Sequence, residues 1–119
     1  MASLKLSYKG VNLKEYELSG ERITVGRHSD NDIRLDDPTV SGIHAIFSMQ
    51  PDPFLEGQIR ATVVDFNSTN GVFVNGEKVK QHKLNPGDVI GIGRHQLHFE
   101  QQDDLPMERT AVLLPDDEG

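Results

Sequence analysis

The sequence predicts an all-β domain, a sandwich or barrel of about nine to eleven short strands with its function on loops at one end. Three observations carry that expectation. Apolar and polar residues alternate with a strand-like period through most of the chain, turn signals recur every several residues, and no stretch keeps a helical period through three turns. At 119 residues the chain is long enough for one domain with a real core.

Taken in order, Leu4, Leu6 and Tyr8 alternate with polar residues, Lys9-Gly10 turns the chain, and Tyr16 and Leu18 resume the alternation before Ser19-Gly20. Two strands follow from this pattern. Ile23 and Val25 form a third that runs into Gly26-Arg27. The polar stretch His28-Ser29-Asp30-Asn31-Asp32 reads as a loop, after which Ile33 and Leu35 restore the period. Asp36-Asp37-Pro38 breaks it again and Thr39 to Gly42 is loop-like. Ile43 to Met49 is an apolar-rich run suited to a buried strand, which Pro51 and Pro53 end. Ile59 to Phe66 is β-branched and aromatic, hence a strand. Asn75-Gly76, set between Val72-Phe73-Val74 and Lys78-Val79, is the signature of a two-residue hairpin with positive φ at both central residues. Asn85-Pro86-Gly87-Asp88 puts Pro and Gly where a type II turn wants them, and Val89 to Ile92 and Gln96 to Phe99 supply the closing strands.

Composition narrows the function classes. The chain has no cysteine, which excludes a disulfide framework, a zinc-thiolate site and a thiol nucleophile, and suits a reducing compartment; cytoplasm is the expected location. No basic stretch leads into an apolar run at the start, and no segment approaches a membrane-spanning length, so neither export nor insertion is expected. The net charge of −7 argues against nonspecific nucleic-acid binding. Its distribution matters more. Asp103, Asp104, Glu108, Asp116, Asp117 and Glu118 against Arg109 give the last stretch −5, leaving −2 for residues 1 to 102. Residues 1–101 therefore read as the domain and 102–119 as an acidic, flexible tail or linker. The near-balanced body leaves room for a local basic pocket that takes an anion.

Asp65 to Gly76 holds more polar groups than turns require. Asn70-Gly71 follows Ser68-Thr69, so hydroxyl and amide side chains are left to face a ligand. Gly26-Arg27 and Ser41-Gly42-Ile43-His44 are two further loops of this kind. Singly, each is an ordinary surface feature: a surface charge, a turn former, a hairpin. A phosphate dianion, however, wants a permanent cation with several donors plus neutral hydroxyl and backbone donors, and Arg27, Ser41 and Thr69 supply that set. His44, at the start of an apolar strand, suits a hydrogen-bonded brace between loops better than a proton shuttle.

Together and in this order, with Asn31-Asp32-Ile33 between the first two loops and Asp65 before the third, these residues resemble the forkhead-associated (FHA) domain, a phosphothreonine-peptide-binding β-sandwich. The resemblance spans roughly Arg22 to Phe99 and implies a mostly antiparallel sandwich with the binding loops at one end. By that resemblance Arg27, Ser41 and Thr69 contact phosphate and Asn70 holds the peptide main chain. Gly26, Gly42, His44, Ser68, Gly71 and Asn75 support the loops. Two positions depart from the commoner family pattern: Gly42 follows Ser41 where a longer residue is usual, and Val72 follows Gly71 where Thr is usual.

The same residues admit competing readings. Ser41, His44 and Asp65 are the residue types of a hydrolytic triad, but no nucleophile elbow precedes a helix and nothing marks an oxyanion hole, so no enzyme is expected. His28, His44, His82, His95 and His98 show no zinc-ligand pairing, so neither metal nor cofactor is expected. A sandwich used for phospho-independent association is the alternative function, against which Arg27, Ser41, Thr69 and Asn70 argue. The expected function is a non-catalytic reader of phosphothreonine in partner proteins, within Ser/Thr-kinase signalling. Thr110, beside Ala111 to Leu114 in the acidic tail, reads first as part of a linker. Phosphorylated, it would dock in the Arg27 site of a neighbouring copy.

Overall fold

The computed structural model describes residues 2–56 and 58–101. Eleven strands build two packed sheets: β1 Ala2–Tyr8, β2 Val11–Glu17, β3 Arg22–Gly26, β4 Ile33–Arg34, β5 Ala45–Pro51, β6 Ile59–Asp65, β7 Val72–Val74, β8 Glu77–Val79, β9 Gln81–Lys83, β10 Val89–Ile92 and β11 His95–Gln101. One sheet has the order β2-β1-β11-β10-β7-β8 and the other β4-β3-β5-β6-β9. The pairings are antiparallel except β3 with β4, which are parallel. The architecture is the sandwich, not the barrel.

Alternation dictates the core. Leu4 and Leu6 face Phe99 and Leu97 across the β1–β11 ladder, and Phe47 faces Val63 across β5–β6. The inward side chains of both sheets, among them Val25, Val72, Ile90 and Ile92, are fully buried between the layers. Loops contribute to the same core, with Leu35 and Val40 buried from the segment before β5 and Leu84 from the one after β9.

The turns follow the residue types. Asn75 and Gly76 have φ of 51° and 87°, the pair of positive values a two-residue hairpin demands, and Gly87 at 95° completes the Asn85–Asp88 turn closed by the Asp88 N–H donating to the Asn85 carbonyl. Four elements differ from the sequence reading. The run from Ile43 becomes strand only at Ala45, because Ser41 to His44 are held as a loop, and Ile43 stands exposed. Pro51 does not stop β5 but occupies its last position, opposite Ile59, where a missing N–H is tolerated. Gln81–Lys83 pairs with β6 as an edge strand that so short and polar a segment did not announce. Asn70-Gly71 is not a hairpin turn: positive φ falls at Asn67 (51°) and Gly71 (90°).

The loop end and the Ala2–Gln101 end of the β1–β11 ladder are opposite poles. Tyr8 pairs with His95 at one end of the β1–β11 ladder and Ala2 with Gln101 at the other, about 20 Å away at the usual strand rise. Thr110 and the acidic segment lie outside the described residues. Among the described residues no helix is long and apolar enough to cross a membrane.

Candidate functional site

Three loops meet at one pole: residues 27–32 after β3, 35–44 before β5 and 66–71 before β7. The first two are zipped together by backbone. The Arg27 N–H donates to the Ser41 carbonyl at 2.9 Å and the His28 N–H to the Gly42 carbonyl at 3.2 Å. Asn31 reinforces the seam, its Nδ2 donating to the carbonyls of His28 (2.9 Å) and Gly42 (2.7 Å). Gly26 is needed for this closeness, since a Cβ there would run into the Gly42 carbonyl and Asn31 Nδ2.

His44 ties the second loop to the third. Its ring is fully buried. The Ser41 N–H donates to Nδ1 at 3.0 Å, which leaves that nitrogen unprotonated and puts the ring proton on Nε2, 2.8 Å from the Gly71 carbonyl that accepts it. Both nitrogens are thus engaged by loop backbone, so the ring cannot serve the Ser41 hydroxyl as a base. Asp65 turns elsewhere: its Oδ1 accepts from the Ser68 N–H at 2.8 Å. The triad residue types are present and the triad geometry is not.

The third loop is wound on side chains. The Gly71 N–H donates to Ser68 Oγ (2.9 Å), the Thr69 N–H to Ser41 Oγ (3.0 Å), and Asn70 Nδ2 to the Thr39 carbonyl (2.9 Å). Because Ser41 Oγ accepts from Thr69, its hydroxyl proton remains to be given to a ligand. Arg27, Ser41, Gly42, Thr69 and Asn70, with Pro38 to Val40, line one open cleft of about 300 Å³. Of the predicted supporting residues, Gly26, His44, Ser68 and Gly71 hold the loops that form it. Asn75 sits at the other end of β7, where its amide bonds Asp88 and the Val89 N–H, so its support goes to the β7–β10 edge.

Sequence reasoning missed the buttress behind Thr39. Asp37 is buried and accepts from the Thr39 N–H (2.8 Å) and hydroxyl (2.7 Å), and from Arg94 Nη2 (3.1 Å) and Nε (3.2 Å); His95 Nδ1 lies 3.4 Å away. The Arg94 guanidinium, followed by the Thr39 donors, outweighs burial and holds the Asp37 carboxyl well below the usual range. Lys78 was missed too: its aliphatic stem covers Gly71, where a Cβ would meet its Cε at 2.6 Å.

The model of the FHA domain family matches residues 23–93. Glycogen accumulation regulator GarA of Mycobacterium tuberculosis is 39% identical over 99 residues, which cover 82% of this chain and 57% of that protein. The chain thus spans little more than half the length of the curated relative. A structure solved in work on phosphothreonine-dependent FHA domain interactions is 31% identical, with a TM-score of 0.71 over 85% of this chain and 96% of the other. EmbR of Mycobacterium tuberculosis, in complex with a low-affinity phosphopeptide, is 30% identical, with a TM-score of 0.70 over 87% of this chain and 25% of the other.

Two expectations test the scaffold of the cleft. His44→Ala should lower unfolding free energy by about 2–4 kcal/mol, from two lost hydrogen bonds, stranded partners and a ring-sized void. Urea denaturation reads this directly, and a loss below about 1 kcal/mol would place the brace elsewhere. For Asp37, a depressed folded pKa means that its ionised form stabilises the fold above the ordinary carboxylate range and that this support fades as pH falls toward the folded value. Asp37→Asn should therefore melt lower than wild type at pH 7, with the gap unchanged down to about pH 4 and closing only in stronger acid. Thermal melts across that range check it.

Proposed function

We propose, from the premise that this chain belongs to the FHA domain family, that it is a non-catalytic, cytoplasmic module reading phosphothreonine in partner proteins under a Ser/Thr kinase. One observation carries the reading: the loop end gathers Arg27, Ser41, Thr69 and Asn70 around a single cleft. In it the Arg27 guanidinium meets the phosphate charge, while the Ser41 hydroxyl and Thr69 give neutral donors to the remaining oxygens. Asn70, already anchored to Thr39, holds the peptide main chain. The phosphothreonine-dependent interactions and the phosphopeptide complex described for similar structures support the same assignment. Nucleic acid and membrane have no part in this reading.

Arg27 faces the cleft and no hydrogen bond or ion pair of its guanidinium is formed among the described residues, so the fold does not need its charge. Arg27→Ala should abolish measurable binding of a phosphothreonine peptide, a loss of about 2–5 kcal/mol, while circular dichroism and melting temperature stay near wild type. Titration against the phosphorylated peptide and its unphosphorylated twin checks both parts. Wild-type affinity in the variant would remove the site assignment, and equal binding of the twin peptides would favour the phospho-independent scaffold.

A second reading concerns Thr110. Docking of a phosphorylated Thr110, which lies outside the described residues, into the cleft of a neighbour would, if reciprocal, close a dimer. Light scattering of protein phosphorylated at Thr110 should show association that Arg27→Ala eliminates. A phosphorylated chain that stays monomeric at micromolar concentration would leave residues 102–119 as a linker.

A further inference from the structure

Gly42 contributes no side chain to the cleft it lines, and the reason lies across the seam between the first two loops. A Cβ at Gly42 would stand 2.6 Å from both Cδ2 and Nε2 of His28. The backbone φ of Gly42 is not among the positive values that favour glycine. With the ring where it stands, a side chain at position 42 is excluded by the imidazole and not by the chain conformation. His28 occupies the volume in which a side chain from position 42 would begin.

The His28 backbone is held on both sides. The His28 N–H donates to the Gly42 carbonyl, and the His28 carbonyl accepts from both the N–H and the Nδ2 of Asn31. The side chain, by contrast, is exposed, and no hydrogen bond among the described residues uses either ring nitrogen. It directly follows Arg27, and its ring packs on Gly42, which lines the cleft beside Ser41. A held backbone, an unengaged polar ring and a glycine kept clear beneath it are what a ligand contact needs.

We infer that His28 is a recognition residue, its imidazole N–H donating to a phosphate oxygen of the bound phosphopeptide from the Gly42 side of the cleft. The inference rests on the phosphopeptide reading of that cleft. It assigns the donor set as Arg27 and His28 from the first loop, Ser41 from the second and Thr69 from the third, so that the phosphate is approached from every loop of the seam. Gly42 enters as the positioning residue for the ring.

The test is a double-mutant cycle read by calorimetric titration of a phosphothreonine peptide into the full chain, with Arg27→Ala as reference. His28→Ala should weaken binding about tenfold, equivalent to about 1.4 kcal/mol, and His28→Gln, which keeps a donor, should recover part of it. Gly42→Ala should weaken wild type by a similar factor because it displaces the ring, yet add nothing in the His28→Ala background. In wild type, the His28 ring nitrogen resonance should move on addition of phosphopeptide and not of the unphosphorylated twin, a readout that does not depend on any variant folding. Full affinity of His28→Ala, an unmoved resonance, or the same effect of Gly42→Ala in both backgrounds would overturn the role of His28 while a dead Arg27→Ala left the cleft intact. An Arg27→Ala variant that binds normally would instead overturn the phosphopeptide reading beneath it.

Discussion

The site depends on one buried imidazole. His44 receives the Ser41 N–H on one nitrogen and gives its only proton to the Gly71 carbonyl from the other. A single neutral ring thereby fixes the separation of two loops that are 27 residues apart in the chain. The tautomer follows from the partners and leaves no choice: a second ring proton would face the Ser41 N–H, donor against donor. Burial makes the arrangement strict, because in the absence of water neither loop has an alternative partner for its backbone group. Ser41 and Gly71 are then held in place, and with them the Ser41 hydroxyl and the turn that carries Thr69 and Asn70.

Around that brace the loops are held by a hierarchy of supports that keeps the ligand-facing groups unoccupied. Backbone pairs and Asn31 zip the Arg27 loop to the Ser41 loop, and Ser41 Oγ and the Thr39 carbonyl receive the third loop. Asp37, with Arg94 behind it, anchors Thr39 from the far side. The supports consume backbone N–H groups and the Asn31 and Asn70 amides, and among the described residues they leave the Arg27 guanidinium and the Ser41 and Thr69 hydroxyls as donors. That asymmetry suits an anion, since an unliganded cleft rich in free donors can be solvated by water and refilled by phosphate oxygens without rearranging the loops.

Legibility in the sequence followed the range of the interaction. Strands and turns were readable because a period of two and residues such as Asn75, Gly76 and Gly87 act within a few positions. The cleft residues were readable as well, because Arg27, Ser41, Thr69 and Asn70 are chemically unlike scaffold and fall in a recognisable order. What could not be read was the partner of each support. Nothing local to Asp37 points to Arg94, 57 positions away, and a lone Asp before Pro looks like any turn. Gly42 stands out in one dimension only as a departure from the commoner pattern, and His28 not at all; their contact shows that the glycine at 42 makes room for a ring. Asn70-Gly71 misled for the opposite reason: its local turn propensity was overridden by bonds from Ser68, Ser41 and Thr39 that set the loop from outside.

Net charge is a poor guide to this cleft for a physical reason. The chain is acidic, at −7, yet exposed charges interact over about 8 Å at physiological ionic strength before salt screens them. Among the described residues, carboxylates at the Ala2–Gln101 end of the β1–β11 ladder, such as Glu100, are beyond that reach of the loop end. Within reach, the carboxylate nearest the Thr39 wall, Asp37, is already matched by Arg94 and the Thr39 donors. On the phosphopeptide reading, a dianion is selected by fixed donors at short range and not attracted by the molecule as a whole. Specificity of that kind needs rigid loops more than it needs positive charge, which is why so much of the loop sequence is committed to holding backbone in place.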